Sequence, residues 1–140
     1  TEFGVSTLYD FLLSWTTGSS GRLVGGKLRR PSWGDVEQHL EAAARTGCGT
    51  VILDIVNADE VGPQSLQVHC KCGMFDVTLG ETTTDDHDVR VLNPAYAIST
   101  SRIPSTDWFP TNSLSEDFSL IRRILREFFE TGNVSRELLS

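Results

Sequence analysis

The chain has 140 residues, 39% hydrophobic and 22% charged, which is enough apolar side chain to bury a sizeable core in one domain and too much for disorder. Nineteen acids against twelve bases give a net charge of −7, which excludes a general nucleic-acid binder, because neutralising phosphates needs a surplus of Lys and Arg. No apolar run approaches the roughly 18–20 residues of a membrane span, and three cysteines do not make a secreted disulfide scaffold. The expectation is a soluble, cytoplasmic single domain over residues 1–140.

In chain order, Leu8 to Trp15 comes first. It holds Asp10 and lacks the basic flank of a signal peptide. Leu8, Phe11, Leu12 and Trp15 suit a helix, while the alternation of Tyr9, Phe11, Leu13 and Trp15 favours a strand. Gly18 to Gly26 reads as a Gly/Ser-rich turn. Ser32 and Asp35, after Pro31, cap a helix over about 33–46, with Val36, Leu40 and Ala43 at helical spacing and Gly47 as its stop. Trp33 reads as a staple against that helix, and His39 as a surface residue. Val51 to Val56 is a β-branched run fit for a sheet interior.

Leu66, Val68 and Cys70 alternate with polar residues, and Phe75, Val77 and Leu79 do the same after Cys72-Gly73, which predicts an antiparallel hairpin. A further strand falls at Val89 to Leu92, and Asn93-Pro94 breaks it; residues 94–112 then show little periodicity. Ser113 and Glu116 form an S-x-x-E cap for a second helix over about 114–131, whose stripe is Leu114, Phe118, Ile121, Leu125 and Phe128. These elements predict an α+β fold: a mainly antiparallel sheet of about four or five strands packed against two principal helices.

Three motifs invite a chemical reading. Gly21 to Lys27 matches G-x-x-x-x-G-K, yet Leu28 replaces the Ser or Thr that holds magnesium and Pro31 interrupts the helix the loop requires, so a glycine-rich turn between strands fits better. His69, Cys70 and Cys72 have Cys48 as the only other cysteine, and strand alternation points Cys70 inward while His69 faces the other way. Asp85-Asp86-His87-Asp88 lacks the alternating acids and central glycine of a calcium loop. There is no G-x-S-x-G elbow, and His39, His69 and His87 lie on three different elements. We therefore assign no catalytic residue, no metal and no cofactor from the sequence.

Charge is the strongest remaining signal. Between Asp54 and Asp88 lie eight acids and one base, Lys71, so the middle of the chain carries the whole surplus. Solvated loops would account for that; so would a surface that steers a basic partner. Trp108, in a proline-bounded stretch, reads as a plug for the core edge or an apolar anchor for a partner.

Pro31 to Glu37 opening a helix, the sheet, and a last helix ending Phe128-Phe129-Glu130-Thr131-Gly132-Asn133-Val134-Ser135 resemble small bacterial immunity proteins of polymorphic toxin systems, of the type often paired with deaminase toxins. Gly62 to Val68 and Leu79-Gly80-Glu81 are also similar to an uncharacterised small bacterial family of the same layout. The likeness spans about residues 22–139, and the tail Leu138-Leu139-Ser140 lacks the Trp often found there. The resemblance implies a non-enzymatic protein that occludes the active site of a cognate, basic toxin domain and touches neither nucleic acid nor membrane directly. Its contact residues would be Asp59, Glu60, Glu81, Asp85, Asp86 and Asp88, with Trp108 as the anchor. An interaction module without a toxin partner, or a small metal-dependent enzyme, is the alternative.

Overall fold

The computed structural model describes residues 9–19, 22–71, 73–96 and 114–139. These residues form an α+β fold in which two helices lie against one antiparallel sheet of seven strands. The strands are β1 (Phe11–Ser19), β2 (Arg22–Arg29), β3 (Cys48–Ile55), β4 (Gly62–Lys71), β5 (Met74–Thr82), β6 (His87–Val91) and β7 (Leu114–Ser115). The helices are α1 (Trp33–Thr46) and α2 (Phe118–Thr131). The sheet runs β2-β1-β3-β4-β5-β6, and β7 shares the outer edge of β5 with β6. Both β2 and β3 are antiparallel to β1 and hence parallel to each other, so α1 supplies the crossover that a parallel pair requires.

The strand count exceeds the expected four or five because of β2 and the two-residue β7. Glycines at positions 25 and 26 hide β2 from propensity, yet Gly26 is required: a Cβ there would sit 2.7 Å from the Trp15 ring that lies over it. The G-x-x-x-x-G-K stretch is thus largely strand and not a phosphate loop, with Gly21 outside the described residues. The N-terminal segment is a strand, as its period-two alternation predicts.

Helix α1 begins with the expected capping box. Ser32 Oγ accepts from the Asp35 amide at 3.1 Å and Asp35 Oδ2 accepts from the Ser32 amide at 2.9 Å. Helix α2 starts four residues later than expected, at Phe118. Leu114 and Ser115 are held extended by pairing with Asp76 and Phe75, and Asp117 Oδ1 accepts from the Leu120 amide at 3.2 Å as the true N-cap. Ser113 lies outside the described residues.

One face of the sheet carries the core. Phe11, Leu13, Val51, Leu53, Leu66, Val68, Val77 and Leu79 point to it and are buried, with Val36 and Leu40 from α1 and Ile121, Ile124, Leu125 and Phe128 from α2. The Phe11 ring lies 5.5 Å from both Phe128 and Phe129, tying the start of β1 to the end of α2. Trp33 finds its neighbours on α2: its ring is 5.8 Å from Phe129 and lies under Arg126, whose guanidinium carbon is 5.0 Å away. His39 is half-buried and not fully at the surface, its ring stacked on Trp15 at 3.8 Å.

Where α2 ends, the C-terminal segment crosses back over β5 and β6 and is held by a buried arginine. Arg90 is 3% exposed. Its Nε and Nη2 donate to the Leu139 carbonyl at 3.1 and 2.7 Å, Nη2 also donates to the Val134 carbonyl at 2.6 Å, and Nη1 donates to Asn133 Oδ1 at 2.9 Å. Glu81 Oε2 lies 3.8 Å from Nη1. Burial pushes the guanidinium pKa down, and nearby Arg136 adds to this, while Glu81 and Glu127 oppose it. Leu138 and Leu139 are buried as a result, and Leu139 bridges Leu92.

Two predictions follow from this packing. Arg90→Ala removes the donors that the Val134 and Leu139 carbonyls share and leaves Glu81 without its buried cation, and urea unfolding should show a loss of about 3–5 kcal/mol. A loss under about 1 kcal/mol would mean that the tail is held by its leucines alone. For His39, burial holds the imidazole below its ordinary value, with Asp35 pulling it back up. The folded state therefore binds fewer protons than the unfolded chain as pH drops below 6.5. Stability should decline from there through the folded-state pKa and then level off. His39→Gln should flatten that part of the pH profile, and an unchanged profile would assign the slope to another group.

Candidate functional site

The strand register gathers the acids. Thr82 pairs with Gly62 on one side and His87 on the other, so the β3–β4 loop (56–61) and the β5–β6 turn (83–86) emerge at the same end of the sheet. Asp59 and Glu60 are exposed on the first loop, Asp85 and Asp86 are exposed on the second, and Asp88 is exposed at the start of β6. Among the described residues none of these five forms an ion pair.

Both loops are fixed by local hydrogen bonds. Thr83 Oγ1 accepts from the Asp86 amide and donates to the Asp86 carbonyl, each at 3.0 Å, and Asp86 Oδ1 accepts from the His87 amide at 2.8 Å. Gln64 Nε2 donates to the Asp59 carbonyl at 2.8 Å, beside the register shift between Pro63 and Ser65. The carboxylates are thus displayed from braced turns. The other flank of the same sheet end is different: Asp10 pairs with Arg29 at 2.9 Å and with Arg30 at 3.7 Å.

The remaining predicted contact residues part from this set. Glu81 is drawn inward, its side chain only 13% exposed, between Arg90 and Arg136, whose Nη2 is 3.4 Å from Oε1. It stands opposite Asp88 in the β5–β6 register, so the two arginines offset a cross-strand like-charge pair. Trp108 lies outside the described residues. Of the other acids in the middle of the chain, Asp76 is buried towards the opposite end of β5, and Asp54 is half-buried within β3.

The metal-like motif disperses as strand alternation predicts: Cys70 is buried in the core cluster, and half-buried His69 contacts Gln67 Oε1 at 3.4 Å. Cys72 lies outside the described residues, among which no group of three His, Cys, Asp or Glu side chains converges to hold a metal ion. Asn133 is engaged with Arg90. Arg90 itself escaped the sequence reading. The signal that reveals it is parity, since it lies two residues before buried Leu92 and so points to the core side.

An antiparallel sheet backed by two helices, with an acidic end made of two braced loops, defines a small α+β protein. The chain belongs to DUF6911, a family of unknown function, which matches residues 12–138. Among solved structures it is similar to the crystal structure of a hypothetical protein from Neisseria gonorrhoeae, with 17% identity and a TM-score of 0.66, covering 87% of this chain and 88% of that one. That likeness concerns the fold alone. No curated protein matches the chain.

The division between free and engaged acids makes a prediction. Replacing Asp59, Glu60, Asp85 and Asp88 by their amides relieves mutual repulsion, so stability should rise at low ionic strength. The gain should vanish in 1 M salt, where the screening length is about 3 Å. Glu81→Gln should instead lower stability. A loss of stability from the four amides, like that from Glu81→Gln, would show that the loop carboxylates hold the fold.

Proposed function

We propose that this protein is a non-catalytic immunity protein that neutralises a cognate bacterial toxin domain by lodging its acidic sheet end in the toxin's active site. What supports this reading is the gathering of Asp59, Glu60, Asp85, Asp86 and Asp88 on or beside two adjacent, braced loops, with no cation among the described residues paired to them. A toxin that acts on nucleic acid must hold a polyanion, so its cleft presents Lys and Arg to phosphate oxygens. Carboxylates set on fixed turns can occupy those phosphate positions at little entropic cost. A net charge of −7 steers the encounter.

In this reading Glu81 keeps the loops' foundation in place, and Trp108 retains the apolar anchor role given to it by the sequence. The partner is a basic protein domain, since like charge keeps nucleic acid itself away. The chain acts in the cytoplasm, without cofactor or metal. No helix among the described residues is long and apolar enough to cross a membrane.

The test uses the chain as bait in lysate of its source organism at low and moderate salt. A basic domain recovered near one to one, whose activity falls silent on adding the bait, is the expected result. A partner whose activity is unaffected by the bait would favour an interaction module. With that domain in hand, Glu60→Lys combined with Asp85→Lys should slow association at low salt by roughly tenfold or more and flatten its salt dependence. An unchanged association rate would remove both loops from the interface.

A further inference from the structure

The opposite side of the sheet ends in β2, which pairs with β1 over eight residues and has no strand on its outer side among the described residues. Natural edges are usually blunted by bulges, prolines or very short strands. This one has an unbroken register from Ser19↔Arg22 to Leu12↔Arg29. Its residues are accessible: Val24 is 63% exposed and Leu28 38%, and Gly25, Lys27 and Arg29 are exposed as well.

Pairing with β1 sorts these residues by face. Val24, Gly26 and Leu28 lie on the helix side, opposite Thr17, Trp15 and Leu13, while Gly25, Lys27 and Arg29 lie on the other side, opposite Thr16, Ser14 and Leu12. On that second face the missing side chain of Gly25 opens a groove of about 320 Å³ floored by Ser14, Thr16, Thr50 and Ile52. The Thr16 and Thr50 hydroxyls bond each other at 2.7 Å, so the floor has already paired its central polar groups and suits an apolar occupant. No side chain of this chain can fill the groove from position 25, since a Cβ there would meet the Trp15 carbonyl oxygen at 2.7 Å.

Charge selects the occupant. In a chain of net charge −7, this edge carries Lys27, Arg29 and Arg30, with Asp10 paired to the two arginines and Lys27 in no ion pair among the described residues. β2 itself holds no acid, so β2 of a second copy paired there offers Lys27 and Arg29 no carboxylate, which disfavours self-association. A long polyanion such as nucleic acid is opposed by the acidic remainder of the molecule.

We propose that the free edge of β2 binds an extended acidic segment of a partner protein by strand addition. The added strand runs antiparallel, as every pairing in this sheet does. It sets carboxylates opposite Arg29 and Lys27, an aromatic ring opposite Gly25 in the groove, and β-branched residues opposite Leu28 and Val24. This surface is separate from the acidic loops and does not rest on the toxin reading, so either can fail without the other.

The test is an amide NMR titration of the whole chain with the peptide acetyl-Thr-Glu-Val-Glu-Thr-Phe-Val-Thr-amide, written to fit that register. Saturable shifts concentrated on residues 22–29 and on Thr16 and Thr50 are expected. Affinity should fall at least tenfold, on the order of one charge-assisted contact, in Lys27→Glu. It should fall comparably when the peptide's Glu residues become Lys, which needs no protein variant, when its Phe becomes Ala, or when alternate backbone amides on its pairing edge are N-methylated. Shifts that map elsewhere, no saturable shift at millimolar peptide, or equal binding of the N-methylated peptide would overturn the proposal. So would a single-stranded oligothymidylate that shifts β2 at lower concentration than the peptide, or a dimer in sedimentation whose β2 amides exchange more slowly with solvent than the monomer's.

Discussion

Arg90 is the contact on which the rest of the molecule depends. A guanidinium offers five N–H donors in a fixed plane, and here they meet the carbonyls of Val134 and Leu139, the side chain of Asn133 and the carboxylate of Glu81. One residue of the last long strand thereby fixes the position of a tail more than forty residues further along the chain. The tail in turn buries Leu138 and Leu139, with Leu139 bridged to Leu92. Taking a charge out of water is costly, which is why so many oxygens surround it. The same arrangement draws Glu81 inward and separates it from the acids that face solvent.

That separation gives the acidic sheet end its character. Eight acids in the middle of the chain do not behave as one group: one is built into the Arg90 network, one is buried, one lies half-buried in β3, and five stand on or beside two loops. Register, not sequence distance, decides which are neighbours, since Asp59 and Asp85 are 26 positions apart yet flank strands joined at Gly62 and Thr82. The sheet is polarised across its width as well, with acidic loops on the β3–β6 side and a basic edge at β2. A rigid scaffold that offers opposite charges on separated surfaces is suited to holding protein partners in a defined orientation.

Much of this was legible in the residues, and the gaps have identifiable causes. The α1 cap was readable because Ser32 and Asp35 act locally, and the β4–β5 hairpin because alternation survives on both sides of Gly73. Strand β2 was hidden because its glycines answer to Trp15, Gly26 to the ring and Gly25 to the carbonyl oxygen, a tertiary demand that propensity does not contain. The start of α2 was misplaced because Ser113 and Glu116 have the spacing of a capping box, whereas the N-cap is Asp117, which accepts from the Leu120 amide. Within the candidate site, exposed acids were found by counting, but Glu81 was grouped with them because its two arginines lie at sequence positions 90 and 136. Arginine in an alternating strand reads as an outward residue until the parity of Leu92 is set against it.

The central claim is that the loops at 56–61 and 83–86 form the surface that meets the partner. Amide hydrogen exchange of the whole chain, free and bound to the basic domain that it captures, tests this most directly. Slowed exchange in those two loops and at the start of β6, with the Arg90-held tail exchanging as in the free chain, is the predicted result. Unchanged exchange in both loops, with protection centred on α2 or the C-terminal segment, would contradict it.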